Sequence, residues 1–278
     1  MTTTVTTTTT ARPPNAFGLG LARGAVELKT FFRQRDSVVF TFSLPAVIML
    51  VLGSVFTDQF EGTGITASQM FAAGMIAGGI ASTSFVNLGI GISTDRDDGT
   101  LKRLRGTPMP PVSYFIGKVM LVLVASLAEV VVLLAAGMLV FDLALPTDVS
   151  RWVTFAWVFL LGVIGCSLLG IAASSIPRSA RSAPAVLNLP FIVLQFISGI
   201  YVIPVRDLPE PLVRVGSLFP LKWMAQGFRS VFLPDVMAEQ EITGAWEHGR
   251  VALVLTAWCI GGLVLCLTTF RWRSRRDG

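Results

Sequence analysis

The sequence predicts an all-α polytopic membrane protein with six transmembrane helices. Of the 278 residues, 53% are hydrophobic and only 14% are charged, whereas ordinary soluble domains carry about 25% charged residues. The apolar residues are gathered into six segments of roughly 20 residues, the length that a helix needs to cross a hydrocarbon core. A soluble protein of this size could not bury so much apolar surface, so we expect a multi-pass membrane protein.

The first 37 residues precede the first apolar segment. Residues 1–16 are rich in threonine and contain no apolar run like that of a secretory signal peptide, so we expect a disordered cytoplasmic tail. Residues 17–37 combine an apolar helical face with basic side chains that can reach lipid headgroups, which predicts an amphipathic helix on the inner membrane surface. A plain basic juxtamembrane segment is the alternative. The apolar face holds Leu21, Ala25, Leu28 and Phe32, and the basic residues are Arg23, Lys29, Arg33 and Arg35.

The apolar segments predict six spans within one transmembrane domain, residues 17–271. Residues 272–278 should form a second cytoplasmic tail. Pro45 should bend the first span, and the pair Gly74 and Gly78 permits close helix contact by the second. The predicted spans are residues 38–56, 69–92, 114–141, 152–176, 184–203 and 251–270.

Glu129 is the one acidic residue well inside a predicted span. A carboxylate at that depth is costly, so it should face a cavity, a partner helix or water. It is either a contact for substrate or conformational coupling, or a protonated or hydrogen-bonded structural residue.

The loop between spans two and three is short, charged and punctuated by proline. Its acidic residues precede Gly99 and its basic residues follow, an order that suits a short helix over Thr100 to Arg105. A short charged helix against a membrane face is typical of a docking element, and an ordinary solvated loop is the alternative.

The connection between spans five and six, residues 204–250, is the longest. Its first half predicts two short apolar helices, within residues 205–232, that are separated at Pro220 and are too short to cross the membrane. We expect them to be re-entrant or to lie at the outer interface, with residues 235–250 as an external loop. His248 lies alone there and is not expected to be a ligand. The second helix has an apolar face of Leu221, Met224, Ala225, Phe228, Val231 and Phe232 opposite Lys222, Gln226 and Arg229.

The distribution of basic residues predicts the orientation. With six spans, both termini lie on one side of the membrane, and that side holds 16 of the 22 lysine and arginine residues. The positive-inside rule therefore places both termini and the charged loop in the cytoplasm. Because the basic residues lie at the ends of apolar segments, the net charge of +5 does not indicate nucleic-acid binding.

Several chemistries are excluded by the residues present. The three cysteines lie within apolar segments without metal-ligand spacing. The Gly117-Lys118 pair has no glycine at the position that a phosphate-binding loop requires, so the chain should not hydrolyse ATP. We find no nucleophile and base set, so no catalytic residue, metal site or cofactor is expected in this chain.

Four stretches resemble the permease subunit of a type-2 ATP-binding-cassette (ABC) exporter, in particular the daunorubicin-resistance-like drug and antibiotic exporters of bacteria. The resemblance runs from about residue 20 over nearly the whole chain. The stretches are Glu27 to Asp36 with the span that follows, Asp95 to Lys118, Ser198 to Glu210, and Phe219 to Arg229.

The resemblance implies that two permease chains, expected to form a homodimer, each dock one soluble ATPase that binds ATP and Mg. Residues 17–37 would be the connecting helix and Thr100 to Arg105 the cytoplasmic coupling helix, in a protein of the bacterial cytoplasmic membrane. A lipophilic substrate would pass between the two chains. The implied ATPase contacts are Asp97, Asp98, Gly99, Thr100, Leu101, Lys102, Arg103, Leu104 and Arg105, with Leu28, Phe32, Arg33 and Arg35 on the connecting helix; the path residues are Glu129, Asn87, Asn188 and Gln195; the external gate is Phe219, Pro220, Leu221, Met224 and Phe228.

Other functions remain open at this point. A lipid-linked glycan would suit the same machinery as well as a small molecule does. A secondary transporter that uses Glu129 as a proton site would work without ATP. An intramembrane enzyme or an assembly factor would work without any ATPase partner and would need a catalytic constellation that the sequence lacks.

Overall fold

The computed structural model describes residues 15–55 and 58–270, and within them the regular structure is helical apart from one bridge between Gln59 and Thr66. The predicted tails, residues 1–16 and 272–278, lie outside the described residues except for Asn15, which caps the first helix, and Ala16, which begins it. The α-helices are α1 Ala16–Arg33, α2 Arg35–Gly53, α3 Ala67–Ala81, α4 Leu88–Asp97, α5 Thr100–Arg105, α6 Pro111–Phe141, α7 Val149–Ala173, α8 Ala183–Ile197, α9 Glu210–Gly216, α10 Pro220–Phe232 and α11 His248–Thr269.

Six helical stretches are long and apolar enough to cross a membrane, so the predicted number of spans is confirmed. α3 and α4 form one continuous stretch through an intervening π-helical segment, Ser82–Asn87. The six stretches are Arg35–Gly53, Ala67–Asp97, Pro111–Phe141, Val149–Ala173, Ala180–Ile197 and His248–Thr269.

Helix α1 precedes the first span, as the pattern predicts, and packs along the first turns of α6. The side-chain oxygen of Asn15 caps its start by accepting from the backbone N–H of Phe17 at 3.1 Å. Gly20 and Gly24 let it approach α6 closely, because a Cβ on either would fall within 2.6 Å of a side-chain atom of α6. The helix ends at Arg33, and α2 begins two residues later.

Span two occupies the centre of the bundle. The Thr66 side chain and the Gln69 side chain form a capping box that begins α3, and almost every residue of α3 is buried. Because α3 contacts α2, α6, α7 and α10, its many small residues are interior packing positions rather than a single contact face.

Span five is shorter than the sequence predicts. α8 ends at Ile197, whereas we expected helix to residue 203. The chain leaves the helix at Ser198, and Gly199 adopts the left-handed region with φ of 70°. A glycine accepts that conformation without the steric cost that a side chain would add.

Helix α10 was expected to be re-entrant or to lie at the outer interface, and it is buried within the bundle. Each of its residues is buried, including Lys222 and Arg229 on its polar face. It packs against α3, α7 and α11. The following segment is folded onto the bundle rather than forming an open loop, since Met237 and Trp246 are buried.

Candidate functional site

A network of charged side chains joins α1, the end of α4 and the start of α6. The Lys118 ammonium lies 3.0 Å from a Glu27 oxygen and 2.8 Å from an Asp95 oxygen. Glu27 also pairs with Arg23, and the Tyr114 hydroxyl donates to Asp95 at 2.7 Å. The lysine is almost completely buried, so these groups fix the three helices to one another. We call Arg23, Glu27, Asp95, Tyr114 and Lys118 the ionic network.

The end of α4 is also fixed to the turn that follows α7. Ser93 donates to the backbone oxygen of Ser174 at 3.1 Å, and Arg96 donates to its hydroxyl at 3.1 Å. The Asp97 carboxylate accepts from the backbone N–H of Ala180 at 3.0 Å. The ends of spans two, four and five therefore meet just before α5.

Helix α5 presents a basic surface next to the ionic network. Gly99, with φ of 74°, makes the turn into the helix, and Leu101 is fully buried beneath it. The remaining predicted contacts of this region differ in exposure. Asp98, Lys102, Arg103 and Arg105 are exposed, and Gly99, Thr100 and Leu104 are half-buried.

The connecting-helix residues selected from the sequence lie mainly at the exposed end of α1. Phe32, Arg33 and Arg35 are exposed, and Leu28 is half-buried. Their exposure leaves them accessible, but the firm attachment of α1 to the bundle comes from Glu27 and from the glycines that face α6.

A shallow pocket of about 270 Å³ opens between α5 and the start of α6. Its lining is mainly apolar, with Arg105 as its charged member and Tyr114 connecting it to the ionic network. The lining residues are Leu104, Arg105, Met109, Pro111 and Tyr114.

Glu129 is completely buried between spans two and three. One of its carboxylate oxygens accepts from the Thr83 hydroxyl at 2.6 Å, and the other has no hydrogen-bond partner among the described residues. The carboxylate packs so closely on Gly79 that a Cβ there would lie 2.9 Å from it. Glu129 therefore makes a hydrogen-bonded contact between spans two and three.

The other predicted path residues are not gathered at Glu129. Asn87 is exposed, and the amide of Asn188 donates to the backbone oxygen of Pro184 one turn earlier at 2.9 Å. Gln195 is buried against Gly78 and accepts from the Tyr201 hydroxyl at 3.0 Å. Since Gly78 and Gly79 face different side chains, Gln195 and Glu129 contact separate sides of α3.

The predicted external gate residues form part of the packed core. Met224 and Phe228 are fully buried, with Phe228 5.6 Å from the Phe155 ring. Phe219 is half-buried and stacks on Trp258 at 6.1 Å. Pro220 and Leu221 are buried at the start of α10.

A buried ion pair anchors α10 and was not among the residues selected from the sequence. Arg229 donates to both carboxylate oxygens of Glu241, and a third bond reaches the backbone oxygen of Gly199 at 3.3 Å. Both charged side chains are at most 2% exposed. The pair therefore joins α10, the segment after it and the end of span five.

Sequence reasoning also missed Glu27 and Lys118 as an interacting pair, although both stood within stretches that we compared with the exporter family. For Lys118, the available signal was a charged residue a few positions inside an otherwise apolar helix. The described residues contain no group of three or more histidine, cysteine, aspartate or glutamate side chains that could hold a metal ion.

Comparisons with known proteins point to one family. The model of the ABC-2 type transporter family matches residues 24–233 of this chain. The probable multidrug ABC transporter permease YbhR of Escherichia coli K12 is 24% identical over 168 residues, which cover 60% of this chain and 44% of that protein. The protein of the same name from Escherichia coli O157:H7 aligns with the same identity and coverage. The aligned region thus spans less than half the length of these relatives.

Proposed function

Because this chain belongs to the ABC-2 type transporter family, which matches residues 24–233, we propose that it is the permease subunit of an ATP-driven exporter. It moves a lipophilic small molecule out across the cytoplasmic membrane of a bacterium. The energy comes from a separate soluble ATPase, which binds ATP and Mg. Both termini and α5 lie on the cytoplasmic side, two permease chains form a homodimer, and each chain docks one ATPase.

The observation that carries this proposal is the ionic network beside α5. Glu27, Lys118 and Asp95 join the amphipathic helix to the end of span two, just before the basic helix, and to the start of span three, just after it. A push on α5 would reach these joined helices through the turn at residues 98–99 and through residues 106–110. This is the arrangement that a subunit driven by an external motor needs.

The lipophilic substrate is supported by two observations. The sequence relatives carry the name probable multidrug ABC transporter permease. The described spans also present apolar side chains on their outer faces, with Leu189 on α8 and Leu253 on α11 both more than 60% exposed. Such faces suit a substrate that enters from the lipid, and transport of a lipid-linked glycan is the alternative that a substrate assay would distinguish.

The first experiment is affinity purification of the tagged chain in mild detergent, with chemical crosslinking before lysis and mass spectrometry of the partners. We expect a soluble protein with a phosphate-binding loop at about equal stoichiometry. A preparation that contains no such protein, with and without crosslinking, would contradict the proposal.

Reversal of charge at α5 tests where the ATPase docks. The double variant Lys102→Glu and Arg103→Glu should lose ATPase binding and transport while remaining folded, because both side chains are exposed. Arg206→Glu is the matched control, since that exposed arginine lies between spans five and six, on the opposite side of the membrane by the chain's topology. Normal binding and export by the double variant would show that α5 is not the docking element.

A further inference from the structure

We propose that the pocket between α5 and α6 receives an apolar side chain from the ATPase, and that Arg105 at its rim pairs with a carboxylate beside that side chain. This inference rests on the proposed function and adds a specific partner chemistry to it. The basic helix would then be only part of the docking surface. A side chain of the ATPase would also insert into this chain, and the pocket would fix the position at which the ATPase docks.

The pocket has room for a single side chain. Its volume is about 270 Å³, and pockets for drug-sized ligands usually range from about 300 to 1,000 Å³. Leu104, Met109 and Pro111 supply apolar walls, and methionine adapts readily to the shape of a partner. An inserted aromatic or branched aliphatic side chain would be surrounded on several sides, which is how anchor residues at protein interfaces gain affinity.

The position of the pocket favours a soluble protein over a lipid chain. α6 has 31 residues and is about 46 Å long, so it extends well beyond a hydrocarbon core of about 30 Å. Lys118 and its acidic partners mark the polar boundary, and Pro111 lies seven residues before Lys118, about 10 Å farther along the helix. The pocket therefore opens beyond the ionic network, on the side where α5 is exposed.

Charge complementarity identifies the neighbouring group on the partner. α5 carries Lys102, Arg103 and Arg105 and no acidic residue. Arg105 is exposed and has no ion-pair partner within the part of the chain that the structure describes. An arginine can bind a carboxylate through two parallel hydrogen bonds, which selects direction as well as charge.

The base of the pocket is connected to the rest of the molecule. Tyr114 lines the pocket, is fully buried and donates to Asp95 of the ionic network. Tyr114 itself exposes no surface, so an inserted side chain would lie over the residue that joins α6 to the end of span two. The pocket is therefore placed where insertion by the ATPase acts directly on the three joined helices.

Photo-crosslinking tests this occupant in the intact complex. A diazirine-bearing amino acid close to methionine in size replaces Met109 in the pocket or, in separate samples, Arg103 on the exposed face of α5, and the chain is purified with its ATPase after illumination. Leu139, which is 84% exposed at the far end of α6, serves as the background position. We expect Met109 to capture an ATPase peptide with an apolar residue next to aspartate or glutamate.

The outcomes separate this inference from the proposed function. Crosslinks to the ATPase from Arg103 but not from Met109 would overturn the pocket while leaving the docking helix in place. Capture of lipid, of a second copy of this chain or of a different protein by Met109 would also overturn it. If neither position captures the ATPase, docking at α5 fails and the pocket assignment fails with it.

Two substitutions provide an independent measurement with the purified ATPase. Met109→Trp fills the pocket and should weaken binding about tenfold or more, whereas Leu139→Trp, which adds bulk at an exposed position at the far end of α6, should bind as the parent does. Arg105→Glu should also weaken binding, and reversal of the acidic residue found by crosslinking should restore it. Size-exclusion chromatography confirms that each variant is folded; a folded Met109→Trp with normal affinity would overturn the proposal.

Discussion

Lys118 illustrates how one side chain can hold several helices together. Its ammonium contacts carboxylates from α1 and α4, and only 7% of the side chain is exposed. A buried charge is tolerated when its partners compensate it, and the cost appears when one partner is removed. If the Lys118 charge were removed, the negative charges of Glu27 and Asp95 would be left without the cation that compensates them.

Lys118→Met should therefore lower the free energy of unfolding by about 2 to 3 kcal/mol. The change preserves side-chain length and apolar contact while it removes the charge. Thermal unfolding of the purified variant in detergent provides the measurement. Lys29→Met makes the same substitution at an exposed position of α1 and should have little effect. Equal unfolding temperatures for the two variants would contradict the structural role of the network.

Lys222 gives the protein a pH-dependent feature outside the spans. Its ammonium donates to the Ser217 hydroxyl at 2.7 Å and lies 4.3 Å from the centre of the Trp223 ring. Burial lowers the pKa of Lys222 below its ordinary value, while the charges of Glu247 and Glu241 act in the opposite direction. Between the lowered pKa and the unfolded value, the folded chain holds fewer protons than the unfolded chain.

The free energy of unfolding should therefore rise with pH across that window, because the unfolded chain binds more protons there than the folded chain does. Below the lowered pKa the penalty of the buried charge is present in full. We expect Lys222→Met to remove this contribution. The test measures the unfolding temperature of the parent and of Lys222→Met at neutral and at alkaline pH. If the difference between the two proteins were the same at every pH, the assignment to Lys222 would be contradicted.

At the scale of the elements, the π-helical segment of span two is confined on two sides. Glu129 of α6 binds Thr83 from one side. Gly170 of α7 approaches from another, and a Cβ there would lie 2.7 Å from the backbone oxygen of Phe85. π-helical turns occur often at functional sites, and this one lies between the buried helix α3 and the half of the span that leads to α5.

Gly170→Ala should push α7 away from this segment and lower the free energy of unfolding by about 2 kcal/mol, since the contact is with backbone that cannot rotate away. Gly261→Ala is the matched control in α11, where an added Cβ would meet nothing within 4 Å. Equilibrium unfolding of both variants in the same detergent makes the comparison. A Gly170→Ala protein as stable as Gly261→Ala would mean that the helices separate at little cost.

An element could be predicted where its sequence pattern depends on local backbone preference rather than on contacts with distant residues. Span number, α1 and the helix Thr100–Arg105 were predictable because apolar periodicity and charge order reflect local backbone preference. The burial of α10 was not, because an amphipathic pattern does not reveal whether its polar face meets water or a partner such as Glu241. The early end of α8 depends on the left-handed turn at Gly199, and an isolated glycine is common in membrane helices.

The site was predictable only in part for a similar reason. The exposed basic residues of α5 lie within four consecutive positions of the sequence, 102–105. The Lys118 contacts join residues that are 91 positions apart in one case, and no local pattern encodes such a pair. Glu129 was recognised as unusual, but its partner Thr83 is an ordinary polar residue that became identifiable only in the folded chain.

At the scale of the whole molecule, the role of Glu129 separates two energy sources. Glu129→Gln keeps a carbonyl oxygen that can accept from Thr83, so we expect ATP-driven transport of a lipophilic dye to be close to that of the parent. Transport is measured in inverted membrane vesicles with ATP, and separately with a pH gradient alone. Parent vesicles that transport without ATP, together with loss of that transport in Glu129→Gln, would favour proton coupling instead.

Spans two and three are bonded to each other near both ends and in the middle. Sliding of one helix past the other would break all these polar contacts together, whereas rolling of the pair as one body would break none of them. Spans two and three can therefore serve as a fixed reference for distance measurements. Spectroscopic labels on α8 and α10 would report any movement of these helices relative to that reference. The bonds join Gln69 to Asp142 at 3.1 Å, Thr83 to Glu129 at 2.6 Å and Asp95 to Tyr114 at 2.7 Å.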